Sequence, residues 1–127
     1  MTIIAQNSRD AFTVTTPEPH VRDLKVLISP DLQEEVAGLS VGMTILPPGN
    51  SSSYHAHEGE AETWIIVSGE GEVVVDDERT RVGPETVVYL PRNSRHQIVN
   101  AGREALRMFW IYTPPGGERA VLQGKMG

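Results

Sequence analysis

The chain has 127 residues, 39% hydrophobic and 22% charged, with a formal net charge of −6 and no cysteine. That length fits one domain with a core large enough to need no staple, and leaves no room for a second. Without cysteine there are no disulfides and no thiolate ligands, and an acidic chain with no Lys/Arg cluster is a poor partner for nucleic acid.

The opening stretch, Met1 to Asp10, lacks the basic and apolar regions of a secretory signal, and no run approaches the ~18 apolar residues of a membrane span. A cytoplasmic protein with no membrane partner is therefore expected. Val- and Ile-rich runs between Gly and Pro signals then predict strands at Val21–Ile28, Leu39–Leu46, Ser53–His57, Glu62–Val67, Glu72–Val75, Thr86–Leu90, His96–Val99 and Leu106–Tyr112. An N-terminal strand at Thr13–Thr16 precedes them. One turn of helix is expected at Asp31–Val36, and residues 114–127, opening Pro-Pro-Gly-Gly, read as a tail of weak order. Many short strands at this spacing point to an all-β sandwich or barrel, with the barrel core at about residues 20–113 of a single domain spanning 1–127. In the last strand Met108, Trp110 and Tyr112 share one face while Arg107, Phe109 and Ile111 share the other, so both faces are expected to be covered.

Chemistry concentrates between residues 49 and 100. Gly49 is followed by His55, His57, Glu62 and Gly69. Two histidines two apart on extended backbone project from one face, with Cα atoms roughly 6.6 Å apart, a spacing that suits two imidazoles on one cation. The polar turn after His57 brings Glu62 onto the next strand, where its longer side chain reaches the same point. Pro91 and Asn93 set a turn before His96, and a barrel returns His96 beside the first pair. His20, beside Pro19, is read as uninvolved.

The first block resembles the cupin signature Gly-x5-His-x-His-x4-Glu-x6-Gly, and the second, from Gly83 to Asn100, resembles its partner motif. The five fixed positions of the first block have on the order of 10⁻⁴ expected chance matches in such a chain. The resemblance implies a double-stranded β-helix, the jelly-roll barrel, with His55, His57, Glu62 and His96 in the four metal positions. Asn93 stands where the family usually has Gly, a replacement its tolerance of positive φ allows. Gly83 lies two residues further from Pro91 than usual, implying a longer turn at Gly83-Pro84-Glu85.

Three imidazoles and a carboxylate suit one divalent transition metal: Fe, Mn, Ni, Co, Cu or Zn. In an octahedral site they leave two positions open, which points to catalysis or ligand capture. Resemblance to mononuclear cupin oxygenases implies an oxidoreductase, a dioxygenase acting on a small enolisable, dicarbonyl or aromatic molecule. Glu62 is the candidate catalytic group, as ligand and proton acceptor, with Trp64, Met108 and Trp110 as the substrate pocket. The alternatives are a non-redox isomerase, lyase or decarboxylase of a sugar acid or keto acid, and a non-catalytic small-molecule-binding module. Resemblance to cupins of this size also implies a homodimer through the outer sheet, with Phe109 and Ile111 facing outward and the N-terminal strand available for exchange.

Overall fold

Period-2 alternation of apolar residues dictates the architecture, because each strand can bury only one face of its pleat unless something covers the other. The computed structural model describes residues 3–124. A short 3-10 turn at Ser8–Asp10 leads into β1 (Phe12–Thr15), β2 (Asp23–Ile28), β3 (Ser40–Leu46), β4 (Ala61–Ser68), β5 (Gly71–Val75), β6 (Glu78–Val82), β7 (Val87–Leu90), β8 (His96–Asn100), β9 (Leu106–Thr113) and α1 (Glu118–Leu122). Six strands form one antiparallel sheet in the order β1-β2-β3-β9-β4-β7, and three form a second in the order β6-β5-β8. The two sheets close face to face as a jelly-roll barrel, the all-β fold expected. Its core joins Leu24 and Val26 on β2, Trp64 and Ile66 on β4, and Met108 and Trp110 on β9 to Val73 and Ile98 of the smaller sheet.

The expected strand at Ser53–His57 does not form. Residues 51–57 make only two isolated bridges to β8, Ser51 to Val99 and His55 to His96. Between them the Ser52 hydroxyl accepts from the Ile98 N–H at 3.0 Å, so a side chain replaces a rung of the ladder. No expected strand covered β6, whose Glu78, Arg79, Thr80 and Arg81 are all exposed and give no alternating signal. It is held instead by its hairpin with β5, closed at Asp76-Asp77 with Asp76 at φ 51°. The N-terminal strand lies one residue earlier than read, at Phe12–Thr15, and pairs with β2 of its own chain.

No helix forms at Asp31–Val36, where only isolated turn bonds appear, among them Gln33 N–H to Ser29 O at 2.9 Å. Gln33 takes over the local backbone instead: its side-chain oxygen accepts from Ser29 N–H at 2.9 Å and its amide donates to Leu27 O at 2.9 Å. The helix lies in the stretch read as a tail, where α1 buries Glu118 and Val121. Five residues are too few for a 3.6-residue period to show, and the Pro-Pro-Gly-Gly run before them masks the helix. The last three positions of that expected tail, 125–127, lie outside the described residues. Among the described residues, no helix is long and apolar enough to cross a membrane.

Candidate metal centre

The site begins with a backbone exchange. His55 N–H donates to His96 O at 3.0 Å and His96 N–H to His55 O at 2.8 Å, so the two residues face each other as a hydrogen-bonded antiparallel pair. Their side chains therefore leave the same side, and His57, two residues on, follows them. Glu62 enters from β4, where it pairs with Tyr112 of β9 and Leu90 of β7 and points into the barrel. One candidate ligand atom from each of the four lies within 4.8 Å of the others. Glu62 Oε1 is 3.1 Å from His96 Nε2 and 3.5 Å from His57 Nε2. Ligands at ~2.1 Å from one ion sit about 3.0 Å apart in cis and 4.2 Å in trans, so the two Glu62 distances are close to those of cis neighbours on a single ion.

The surrounding bonds fix which atoms face that point. Nδ1 of His55 lies 2.8 Å from Ser53 O, and Nδ1 of His96 lies 3.0 Å from Ser94 O. A carbonyl only accepts, so each Nδ1 carries the proton and each Nε2 is left with its lone pair. Trp64 Nε1–H donates to Glu62 Oε2 at 2.7 Å, turning Oε1 toward the imidazoles. Burial pushes His55 down to about 4, against the opposing hydrogen bond to Ser53 O, so this imidazole is neutral and available at ordinary pH. Three imidazoles and one carboxylate, with no thiol, are borderline-to-hard donors of the kind a divalent transition metal takes. The donor set fits.

A cavity of about 40 Å³ adjoins the centre. Trp64, Met108 and Trp110 line it, together with His55 and Glu62. Trp110 lies over Gly42 of β3, where any Cβ would overlap the indole. Val121 of α1 also reaches the cavity, held there by Glu118, whose carboxylate accepts from Ser29 Oγ at 2.7 Å, Ser40 Oγ at 2.8 Å and Gly116 N–H at 2.7 Å. His20 stands outside the four-residue cluster, its Nδ1 on Ser51 O at 3.2 Å.

Arg22 and Tyr112 were not singled out by the sequence reading, yet both line the cavity. Arg22 could have been found, since it precedes Leu24 and Val26 by the two-residue period of an inward face. Burial pulls its guanidinium below the usual range, with the nearby Tyr112 opposing. Tyr112 was placed on the face of Met108 and Trp110, and its hydroxyl lies 3.5 Å from His57 Nε2. Burial, reinforced by Glu62, Glu60 and Glu118, raises its phenol well above the usual value and keeps it protonated.

The Cupin domain family model matches residues 42–112, more than half of the chain. The chain is a cupin. It is similar to a predicted oxalate decarboxylase of Thermotoga maritima, with TM-score 0.77 and 22% identity over 87% of this chain and 99% of that one. A Cupin 2 conserved barrel domain protein of Salinispora arenicola is 27% identical, with TM-score 0.69 over 97% and 98% of the two chains. A mannose-1-phosphate guanylyltransferase of Sinorhizobium fredii is 33% identical over 66 residues, which are 52% of this cupin and 13% of that protein. This cupin therefore spans about an eighth of that relative's length. Its departures from the usual motif are accommodated by the backbone. Asn93 sits at φ 67°, in the left-handed region that Gly favours and Asn tolerates. The longer turn after Gly83 closes with Thr86 N–H on Gly83 O at 3.2 Å.

Proposed function

We propose that this cupin is a mononuclear metal-dependent enzyme acting on a small organic molecule, with oxygenase chemistry on an enolisable, dicarbonyl or aromatic substrate as the leading reading. The observation that carries it is the adjacency of the four-donor centre to a small cavity with indole and thioether walls. A divalent metal held by His55, His57, Glu62 and His96 would supply Lewis acidity and open positions for substrate. Around it, Trp64, Met108 and Trp110 exclude water and orient the substrate's apolar part. Trp64 holds Oε2 of Glu62, and Glu62 accepts a substrate proton at Oε1 when that oxygen is free. Tyr112, protonated and beside His57, offers a hydrogen-bond donor to a developing negative charge.

A second reading, a non-redox isomerase, lyase or decarboxylase of a keto or sugar acid, is favoured by the polar part of the cavity wall, where Arg22, Thr44 and Ser52 lie. Elemental analysis of protein purified without added metal, followed by oxygen-uptake assays on a panel of enolisable compounds, separates the two. Oxygen uptake that disappears in His57→Ala supports the oxygenase. Bound metal with no uptake, but with decarboxylation or isomerisation of keto acids, supports the second reading. Protein that takes up no metal overturns both.

The reading includes a cytoplasmic homodimer packed through the outer face of the larger sheet. On that face Val87 and Tyr89 are 63% and 65% exposed, beside half-buried Ile65, Phe109 and Ile111.

A further inference from the structure

We propose that Arg22 is the seat for the carboxylate of a small organic acid whose other end lies at the metal centre. The position of the far end rests on the metal-enzyme reading above, whereas the carboxylate seat does not.

Arg22 is 3% exposed and among the described residues makes no ion pair. Its Nη1 is committed to the protein, donating to His20 O at 2.8 Å and to Thr16 Oγ1 at 3.4 Å. Those two acceptors clamp one arm of the guanidinium, and no acidic group neutralises it. Nε and Nη2 have no partner among the described residues. Every fully enclosed side-chain nitrogen or oxygen there does have one, so these two atoms are not sealed off. We place this edge in the cavity, which Arg22 lines together with His55 and Glu62.

The Nε–Nη2 edge carries two nearly parallel N–H bonds, a pattern that matches the two oxygens of a carboxylate. A buried cation without a counter-ion is a cost of the empty site that a bound anion removes. Thr44, on β3 opposite Leu24, adds a second unpartnered group on the same wall, since its hydroxyl makes no hydrogen bond among the described residues. Leu24 and Met108, which flank Thr44 on the larger sheet, and Ile98 of the smaller sheet are apolar and suit a short carbon skeleton. A volume of about 40 Å³ holds roughly three waters, which limits the ligand to a few carbons. Glu62, which also lines the cavity, disfavours a dianion such as phosphate and leaves a monoanionic carboxylate as the best-matched guest.

Both tryptophans of the chain, Trp64 and Trp110, line the cavity, so intrinsic fluorescence reports occupancy. The test titrates the purified protein with acetate, propionate and pyruvate, and with the uncharged methyl ester of each, while metal content is measured on the same sample. At least one acid is expected to give a saturable change with its ester at least tenfold weaker. Arg22→Met abolishes that preference, and Arg22→Lys, which keeps the charge but loses the fork, retains part of it. The comparison of acid with ester in the unaltered protein stands even if a variant fails to fold. Esters that bind as tightly as the acids, no saturable acid binding, or wild-type binding in both Arg22 variants would each overturn the seat. So would inorganic phosphate competing as well as the acids do. An acid preference in protein that takes up no metal sinks the metal reading and leaves the seat standing. Metal-loaded protein without the preference does the reverse.

Discussion

Trp64 and Glu62 lie two residues apart on β4, and the indole N–H of one donates to Oε2 of the other at 2.7 Å. The carboxylate is 4% exposed, so this bond, rather than water, sets its rotation. Trp64→Phe keeps the ring but removes the donor. Metal affinity is expected to fall about 10- to 100-fold with the fold intact, read by competition with a chromogenic chelator. Unchanged affinity would mean that Glu62 is oriented by something else.

Metal should stabilise the fold by linkage. At free metal ~1,000 times the dissociation constant the gain is about 4 kcal/mol, seen as a melting temperature that drops on adding a chelator. His96→Ala, which removes the most enclosed of the three imidazole ligands at 2% exposure, is expected to make the melt insensitive to both metal and chelator.

Gly42 gives way to Trp110, because a Cβ there would overlap the indole and the Lys25 carbonyl. Gly42→Ala should therefore push Trp110 toward the cavity and cost about 1–3 kcal/mol by overpacking. Chemical unfolding measures the cost, and a shifted tryptophan emission shows the displaced ring.

Glu118 carries an acid-sensitive contact. Burial pushes its carboxyl up, but hydrogen bonds from Ser29, Gly116 and Ser40 outweigh burial and leave it below the usual carboxylate range. A folded value below the unfolded one stabilises the folded state above the unfolded pKa, and that stability is lost as pH falls through the folded value. Wild-type protein should thus lose stability on acidification below about pH 4.5, the ordinary carboxylate range. Glu118→Gln should be less stable at pH 7 and should lose less on acidification over the same window. Urea unfolding at stepped pH provides the comparison, and parallel curves for the two proteins would rule the contact out as the source.

The outer face of the larger sheet predicts its own disruption. Tyr89→Asp combined with Val87→Asp should convert a dimer to a monomer in light scattering while leaving metal content unchanged. A wild-type protein already monomeric at micromolar concentration would remove the dimer from the proposal.

Much of the metal centre was legible in the sequence because its signal is spacing. His55 and His57 on extended backbone, Glu62 after a polar turn and His96 after Pro91 and Asn93 each have a local reason to face inward. Strand content was readable wherever apolar residues alternate, as in β9, and unreadable in β6, where Glu78 to Arg81 are all exposed and pairing alone makes the strand. Segment 51–57 was read as a strand because its composition allows one, yet the Ser52 hydroxyl intercepts the ladder. The roles of Arg22 and Glu118 depend on partners far off in sequence. Glu118 reaches back to Ser29 and Ser40, and no local pattern announces such a contact.

The four candidate metal-binding positions are spread between residues 55 and 96 and come from an irregular segment, from the larger sheet and from the smaller one. In the unfolded chain His96 is far from the other three, and an incomplete set on a flexible tether grips an ion weakly. Full coordination requires the loop of 34 residues from Glu62 to His96 to have closed first, with its entropy already lost. Capture of an ion by this set would thus be a late event in folding. The choice among competing metals would then be made by a finished cage, whose spacing was set by strand pairing before any ion arrived.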